Sequence, residues 1–194
     1  IITIEDPIEY VYDNACSVVE QRELHSDTLE FAAALKAAMR ESPDIIMVGE
    51  MRDIATMSSA LTAAETGHLV LATIHTNSAP QTVDRIIDSF PPSQQNQIRQ
   101  QLSGALLGVI SQRLLPRLDG CGRVAAFEVM IGTPPIQSLI REGKTHMLQS
   151  AIETASKDGM ITLRKALELL SMNGLVSRKE TLRFSADYKE TEAF

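Results

Sequence analysis

Two short runs constrain the fold of this chain more than anything else in it: DIIMVGE (44–50) and HLVLATI (68–74). The first places four apolar residues in succession, too few for a helix and apolar on both phases of an alternating pattern. It reads as a central strand buried on both faces. The second reads the same way. Each run follows a stretch with helical spacing. From Leu29 to Met39 the chain is rich in Ala and Leu, with Phe31, Leu35 and Met39 on one face, Asp27 placed as an N-cap and Glu30 three residues on as in a capping box. Ser42-Pro43 closes that helix, because the residue before a proline is driven out of the α region. A second helix is expected from Ile54 to Glu65, stopped by Gly67, and a third from about Pro80 to Asp88. Ile1 to Ile4 and Ser17 to Glu20 read as two more strands. Strands and helices alternating through short connections predict an α/β fold around a mostly parallel sheet flanked by helices.

In such sheets ligands bind beyond the carboxy ends of the strands. Three polar groups fall there: Glu5 and Asp6, with Glu9 slightly beyond; Glu50 with Arg52; and His75 with Thr76. A single Glu or His in a loop is more often a solvated charge than a working residue. Carboxylates, an arginine and a histidine on three strand ends instead suit a site where a metal meets a polyanion. Glu50 follows a strand directly, so a rigid element holds it where a carboxylate can orient a water or hold Mg²⁺. Phosphoryl chemistry also needs a group facing the terminal phosphate and positive charge for the transition state, for which His75, Arg52 and Arg40 are the candidates.

Composition removes the competing classes. With 44% hydrophobic residues, 10 Gly and 8 Pro in 194 residues, the chain is neither a disordered tail nor collagen-like, and no run approaches the ~18 apolar residues of a membrane span. Its 18 Lys+Arg against 25 Asp+Glu give a formal charge of -7, which argues against a broadly basic surface for nucleic acid. Cys16 and Cys121 are too few for a disulfide framework or a four-thiolate zinc site, so a reducing cytoplasm is expected.

Beyond Phe90-Pro91-Pro92 the pattern changes. Gln95 to Leu114 reads as one long helix, and Arg123 to Ile131 as an extended strand or hairpin arm after the Gly120-Cys121-Gly122 turn. Pro135 to Ser177 reads as three short helices punctuated by Gly143, Gly159 and Gly174, and Ala186 to Phe194 as a polar, fraying tail.

Several of these runs also resemble a known family. IEDPIEY (4–10), SPDIIMVGEMRD (42–53) and TAAETGHLVLATIHTNSA (62–79) resemble the acidic box, Walker B and histidine box of the secretion-superfamily hexameric ATPases. VISQRLLPR (109–117) and GRVAAFEVMIGTPPIQSLIREGK (122–144) extend the likeness to the twitching-motility retraction branch, the PilT-like motors of type IV pili. The resemblance implies a RecA-like P-loop NTPase core over residues 1–118, a strand and helical carboxy-terminal subregion over 119–185 and the tail over 186–194. It implies a catalytic glutamate at Glu50, an acidic-box glutamate at Glu9, and a histidine pair at His68 and His75. Glu50 and Glu9 would manage Mg²⁺ and the attacking water, with Glu5 and Asp6 beside them. His75 and His68 would face the phosphates, and Arg40 and Arg52 would neutralise phosphate charge across a subunit interface. Gly49 stands where many other P-loop ATPases have Asp, a feature the family shares, which shifts metal work to Glu50 and the acidic box.

The resemblance further implies a homohexamer that hydrolyses ATP with Mg²⁺, lies in the cytoplasm at the inner face of the membrane without inserting, and acts on an inner-membrane platform protein, with a paralogous ATPase as a possible companion. The retraction motif, usually AIRNLIRE, reads here as PIQSLIRE: Pro135, Ile136, Gln137, Ser138, Leu139, Ile140, Arg141 and Glu142. Gln137 and Ser138 in place of Arg and Asn remove a positive charge, while Ile136, Leu139 and Ile140 sit at helical spacing and read as core.

No GxxxxGK[ST] run occurs in the chain, and in the family that loop lies upstream of the acidic box. The chain opens at Ile1 directly in IITIEDP, so the expectation is a fragment that lacks the P-loop portion and does not bind ATP tightly by itself. Other readings are a non-catalytic ring subunit, a pilus-assembly or type II secretion ATPase, and a nucleotide-independent metal hydrolase using Glu5, Asp6, Glu9 and His75. Two cysteines argue against the assembly and secretion branches, which commonly carry a tetracysteine insertion. The carboxylate spacing matches no HExxH-like ligand set.

Overall fold

The computed structural model describes residues 1–191, and for 186–191 the backbone alone. It divides into two compact units, one formed by residues 1–75 with 88–105, the other by 76–87 with the chain from Leu106 onward.

The first unit is built on a four-stranded parallel sheet of order β2-β1-β3-β4, with β1 at Ile2–Glu5, β2 at Glu20–Glu23, β3 at Ile45–Val48 and β4 at Leu69–Ala72. Helices α1 (Phe31–Ala38) and α2 (Ile54–Glu65) form the crossovers into β3 and β4. Ile2, Ile4, Ile46 and Val48 point into one core with Phe31, Ala34, Leu35 and Ala38 of α1 and Ala60 and Ala63 of α2. Helix α4 (Pro92–Ala105) packs on α2, buries Ile98 and Leu102, and ties Gln101 to Glu65 at 2.8 Å. The α/β architecture is the one expected.

Several details of this unit differ from expectation. The second strand lies at Glu20–Glu23 rather than Ser17–Glu20, because its polar EQRE sequence carries no apolar alternation to mark it. Asp27 does not cap α1. Its carboxylate accepts from the Glu23 amide at 2.8 Å and closes a local turn, and Glu30 takes the N-cap position without a side-chain bond. Burial on both faces holds for neither central run: in β3 Ile46 and Val48 are fully buried while Ile45 and Met47 are half-buried, and in β4 Leu69 and Leu71 are exposed. Helix α2 has its expected bounds, and Gly67 ends it with a φ of 101°.

In the second unit α3 (Ala79–Asp88) begins at Ala79, and its residues up to Ile87 belong here. The long helix expected over Gln95 to Leu114 stops at Ala105; β5 (Gly108–Pro116) then pairs antiparallel with β6 (Arg123–Ile131), Gly108 opposite Ile131 and Pro116 opposite Arg123. Alternate side chains of GVISQRLLP turn outward, a period of two that outweighs the helical spacing of the same leucines. Gly132 permits the close return of the chain, since a Cβ there would lie 2.0 Å from the Leu106 carbonyl oxygen. A boundary at residue 118 therefore falls within the turn of one hairpin.

Three helices follow as expected, α5 (Pro134–Arg141), α6 (Leu148–Thr154) and α7 (Leu163–Met172), with 3₁₀ turns at Thr145–Met147 and Ser156–Asp158. Leu115 and Ala126 of the hairpin pack with Leu163, Ala166 and Leu167 of α7 and with Val176. A further helix, α8 (Arg178–Thr191), has a polar sequence without an apolar stripe and was not expected. Its backbone continues into the stretch read as a tail, of which residues 192–194 lie outside those described.

Candidate functional site

The carboxy edge of the parallel sheet gathers part of the expected constellation. Beyond β3 and β4 the ladder continues: the Thr73 amide donates to the Val48 carbonyl at 3.3 Å and the Met51 amide to the Thr73 carbonyl at 2.9 Å. This extension carries Glu50 and His75 side by side. One carboxylate oxygen of Glu50 lies 3.2 Å from His75 Nε2, and the other is ion-paired to Arg52. Arg52 also stands 3.9 Å from Asp6. Glu50 is 8% exposed, whereas the side chains of Arg52 and His75 are 67% and 89% exposed. The hydrogen bond and charge of Glu50, with Asp6 adding to them, push the Arg52 guanidinium pKa further above its ordinary value.

Gly49 explains how Glu50 reaches this edge. Its amide donates to the Ile4 carbonyl at 2.7 Å, and a Cβ at this position would meet the Ile4 oxygen at 3.1 Å and Glu5 Cα at 3.2 Å. The ends of β1 and β3 approach so closely that a side chain between them would need the β1 backbone to give by a few tenths of an ångström. Glycine at 49 therefore suits the packing as well as the motif.

The other candidates are placed differently. Glu5 is buried but turned to its own neighbours, accepting from Thr3 Oγ1 at 2.6 Å and Gln21 Nε2 at 2.9 Å. Glu9 is exposed in the loop after β1, and among the described residues no hydrogen bond or ion pair joins it to Glu50. His68 precedes β4 and therefore sits at the amino end of the sheet, where Nδ1 lies 3.1 Å from the Ala63 carbonyl and 3.2 Å from the Thr66 hydroxyl. Arg40 follows α1, where the chain returns to the amino end of β3, and is exposed. The sheet thus brings Glu50, His75, Arg52 and Asp6 together and leaves His68, Arg40 and Glu9 apart from them.

Among the described residues no group of three or more His, Cys, Asp or Glu side chains is gathered closely enough to hold a metal ion. One buried carboxylate at a strand end still fits Mg²⁺, which keeps several waters and takes one or two carboxylates together with substrate phosphates. Both cysteines are free and exposed, and no described helix is long and apolar enough to cross a membrane.

In the retraction-motif segment Ile136 and Ile140 are core, as their spacing implies, and Leu139 is half-buried. Ser138 Oγ donates to Glu142 at 2.8 Å and Lys144 Nζ to the same carboxylate at 2.7 Å. Lys144 first, then Ser138, holds the Glu142 carboxyl below its usual range.

Sequence reasoning missed Glu128, the most buried acid among the described residues at 0% exposure. It lies on β6, where Ala126, Glu128 and Met130 form the inward phase. The signal was available: a lone acid on the inward phase of the apolar run RVAAFEVMI.

Comparison with known proteins places these features. The model of the type II/IV secretion system protein family matches residues 1–183. The chain belongs to that family. It is 54% identical over 179 residues to the type IV pilus retraction ATPase PilT of Pseudomonas aeruginosa, covering 92% of this chain and 52% of that protein. It is 49% identical over its whole length to a twitching motility protein of Neisseria gonorrhoeae, again covering 52% of that protein. The crystal structure of the pilus retraction motor PilT with bound ADP matches all of this chain and 55% of that one at a TM-score of 0.88 and 49% identity. The chain spans about half the length of these relatives.

Proposed function

We propose that the full-length protein is an ATP-hydrolysing motor of the pilus-retraction type and that this chain supplies its water-activating edge. The observation that carries the reading is the pairing of a nearly buried Glu50 with an exposed arginine and an exposed histidine at the carboxy end of a parallel sheet. The likeness to retraction ATPases supports it. In the reaction a water attacks the γ-phosphorus, the bond from that phosphorus to the bridging oxygen breaks, and ADP and phosphate leave. Glu50 accepts a hydrogen bond from the water and orients it for in-line attack. Arg52 and His75, held by Glu50 on exposed side chains, turn toward the phosphate oxygens where charge develops. Mg²⁺, when bound, neutralises the phosphate oxygens; Glu50, directly or through water, and Asp6 are the residues of this edge that would hold it.

The remaining assignments follow from the family reading. Glu9 belongs to the same acidic segment. His68 and Arg40, at the opposite end of the sheet, suit contacts made in a ring of subunits rather than within one chain. A homohexamer, a cytoplasmic location at the membrane face, and a membrane platform protein as partner complete the proposal. The altered retraction motif gives Ser138 and Lys144 a shared carboxylate in Glu142, which orders that helix end.

The test is Glu50→Gln in the full-length protein. The amide keeps the shape and a pairing oxygen but is a far weaker acceptor for the attacking water, so turnover is expected to fall by about 100-fold or more with nucleotide binding retained. Turnover within about tenfold of the unaltered protein, roughly 1.4 kcal/mol of barrier, would remove Glu50 from this role.

A further inference from the structure

The loop that follows β1 carries Asp6 to within 3.9 Å of Arg52, and side chains of β2 set its course. Both strands belong to the first unit, as does the edge that carries Glu50 and His75. Ile2 and Ile4 of β1 point into the core, so Thr3 and Glu5 lie on the other face of the sheet, in register with Gln21 and Glu23 of the parallel neighbour. Gln21 is the node of that face. Its Nε2 donates to Glu5 Oε1 at 2.9 Å and to the Tyr10 carbonyl at 2.9 Å, while its Oε1 accepts from the Tyr12 amide at 2.8 Å. Two residues on, Glu23 accepts from the Ile8 amide at 3.0 Å. Edge strand β2 thus meets the loop with side chains much as a strand meets its neighbour with backbone. The Tyr10 and Tyr12 rings, 5.3 Å apart, brace the same stretch.

Asp6 is bracketed by these contacts. The residue before it, Glu5, is held by Gln21 and by Thr3 Oγ1 at 2.6 Å, and the chain two residues after it is held by Glu23. We propose that Gln21 is a positioning residue for the reaction at the Glu50 edge, acting through Asp6: it locks the loop after β1 so that the Asp6 carboxylate stays against Arg52, the partner of Glu50. The proposal rests on the ATPase reading above. Its requirement is chemical. Position 21 must donate twice and accept once, which a carboxamide does, whereas a carboxylate lacks the donors and a thioether or hydrocarbon lacks nearly everything.

The experiment is a double-variant cycle of Gln21→Met and Asp6→Asn in the full-length protein, with Asn14→Ala as the comparison. Asn14 holds the same loop at a different point, where its Oδ1 accepts from the Val19 amide at 2.7 Å. Gln21→Met is expected to lower kcat for ATP about tenfold with KM little changed, since small displacements of a group at the reacting site are costly to the chemical step. Asp6→Asn should lower it by about as much. The double variant should stay within about threefold of Asp6→Asn alone, because Gln21 then has no carboxylate left to place; independent effects would multiply to about 100-fold. Amide exchange at Tyr12 should speed by roughly tenfold in Gln21→Met. Asn14→Ala should leave kcat within about twofold. A multiplied loss in the double variant, an unchanged kcat in Gln21→Met or in Asp6→Asn, or an equal loss of kcat in Asn14→Ala would each overturn the proposal. If Gln21→Met does not fold, Glu23→Met, which frees the Ile8 amide on the other side of Asp6, takes its place in the cycle and must show the same coupling. Absence of ATP hydrolysis in the unaltered protein would defeat the ATPase reading and with it this role for Gln21, whereas exchange at Tyr12 separately shows whether the lock exists.

Discussion

The edge of the parallel sheet and the inner face of the β5–β6 hairpin each bury a glutamate, and they hold it in different ways. Glu50 is paired with side chains that stand mostly in solvent, whereas the contacts of Glu128 include the backbone amides of two helices. Side-chain partners on long exposed stems can leave a carboxylate and meet an arriving phosphate at small cost. Amides at helix starts move only when the helices do. The first environment suits a group that exchanges partners during a reaction, and the second suits a fixed point from which geometry is held.

The largest effect that can break this contrast is on turnover. Glu50→Gln should cost about 100-fold or more in kcat and leave the melting temperature close to that of the unaltered protein, because its partners are exposed and replaceable. A large loss of stability in that variant would show Glu50 to be as structural as Glu128. Next comes Gly132→Ala, in the rigid region, where the added methyl meets the Leu106 carbonyl and forces β6 away from the chain before β5. A loss of about 3 kcal/mol in denaturant unfolding is expected. An unchanged midpoint would mean that this hairpin is looser than its packing implies.

Asp53 sharpens the comparison on the sheet side, just after the site. Burial alone would raise its pKa, but the Thr56 hydroxyl and the amides of Thr56 and Ala55 more than offset that and hold it below the ordinary aspartate value. A carboxyl depressed on folding adds stability above its unfolded pKa and loses it as the pH falls through the folded one. Asp53→Ala should therefore cost about 1 kcal/mol near neutrality, and the gap to the unaltered protein should close as thermal melts are taken below about pH 4. The smallest effect is at Glu142: Lys144→Met should return its carboxyl toward the ordinary value by more than Ser138→Ala does, read by carboxyl-detected NMR titration.

How much was legible in the sequence follows the range of the forces. Strands β1 and β3 and helices α2 and α3 carry their own apolar periodicity and turn residues, and they stand within a residue or two of expectation. Strand β5 does not, because Leu114 and Leu115 suit a helix as well as a strand and the choice is made by pairing with β6, across a turn. Strand β2 is a polar edge strand fixed by β1 alone in the sheet order, so nothing local announces it. At the site, Glu50, Arg52 and His75 were legible because each lies at or just beyond the end of a readable strand. Asp27 misled because an acid before a helix suits a turn as well as a cap. Glu128 was hidden by its own success: its partners come from residues 49 earlier and 35 later in the chain.

The narrow gap beside Gly49 bears on how such a chain can change over generations. A side chain at 49 asks the β1 backbone to give by a few tenths of an ångström, and β1 is paired on both edges, so the adjustment would reach β2 as well as Glu5. A second acid at that position therefore needs an accompanying adjustment of β1 before it can share the work of Glu50.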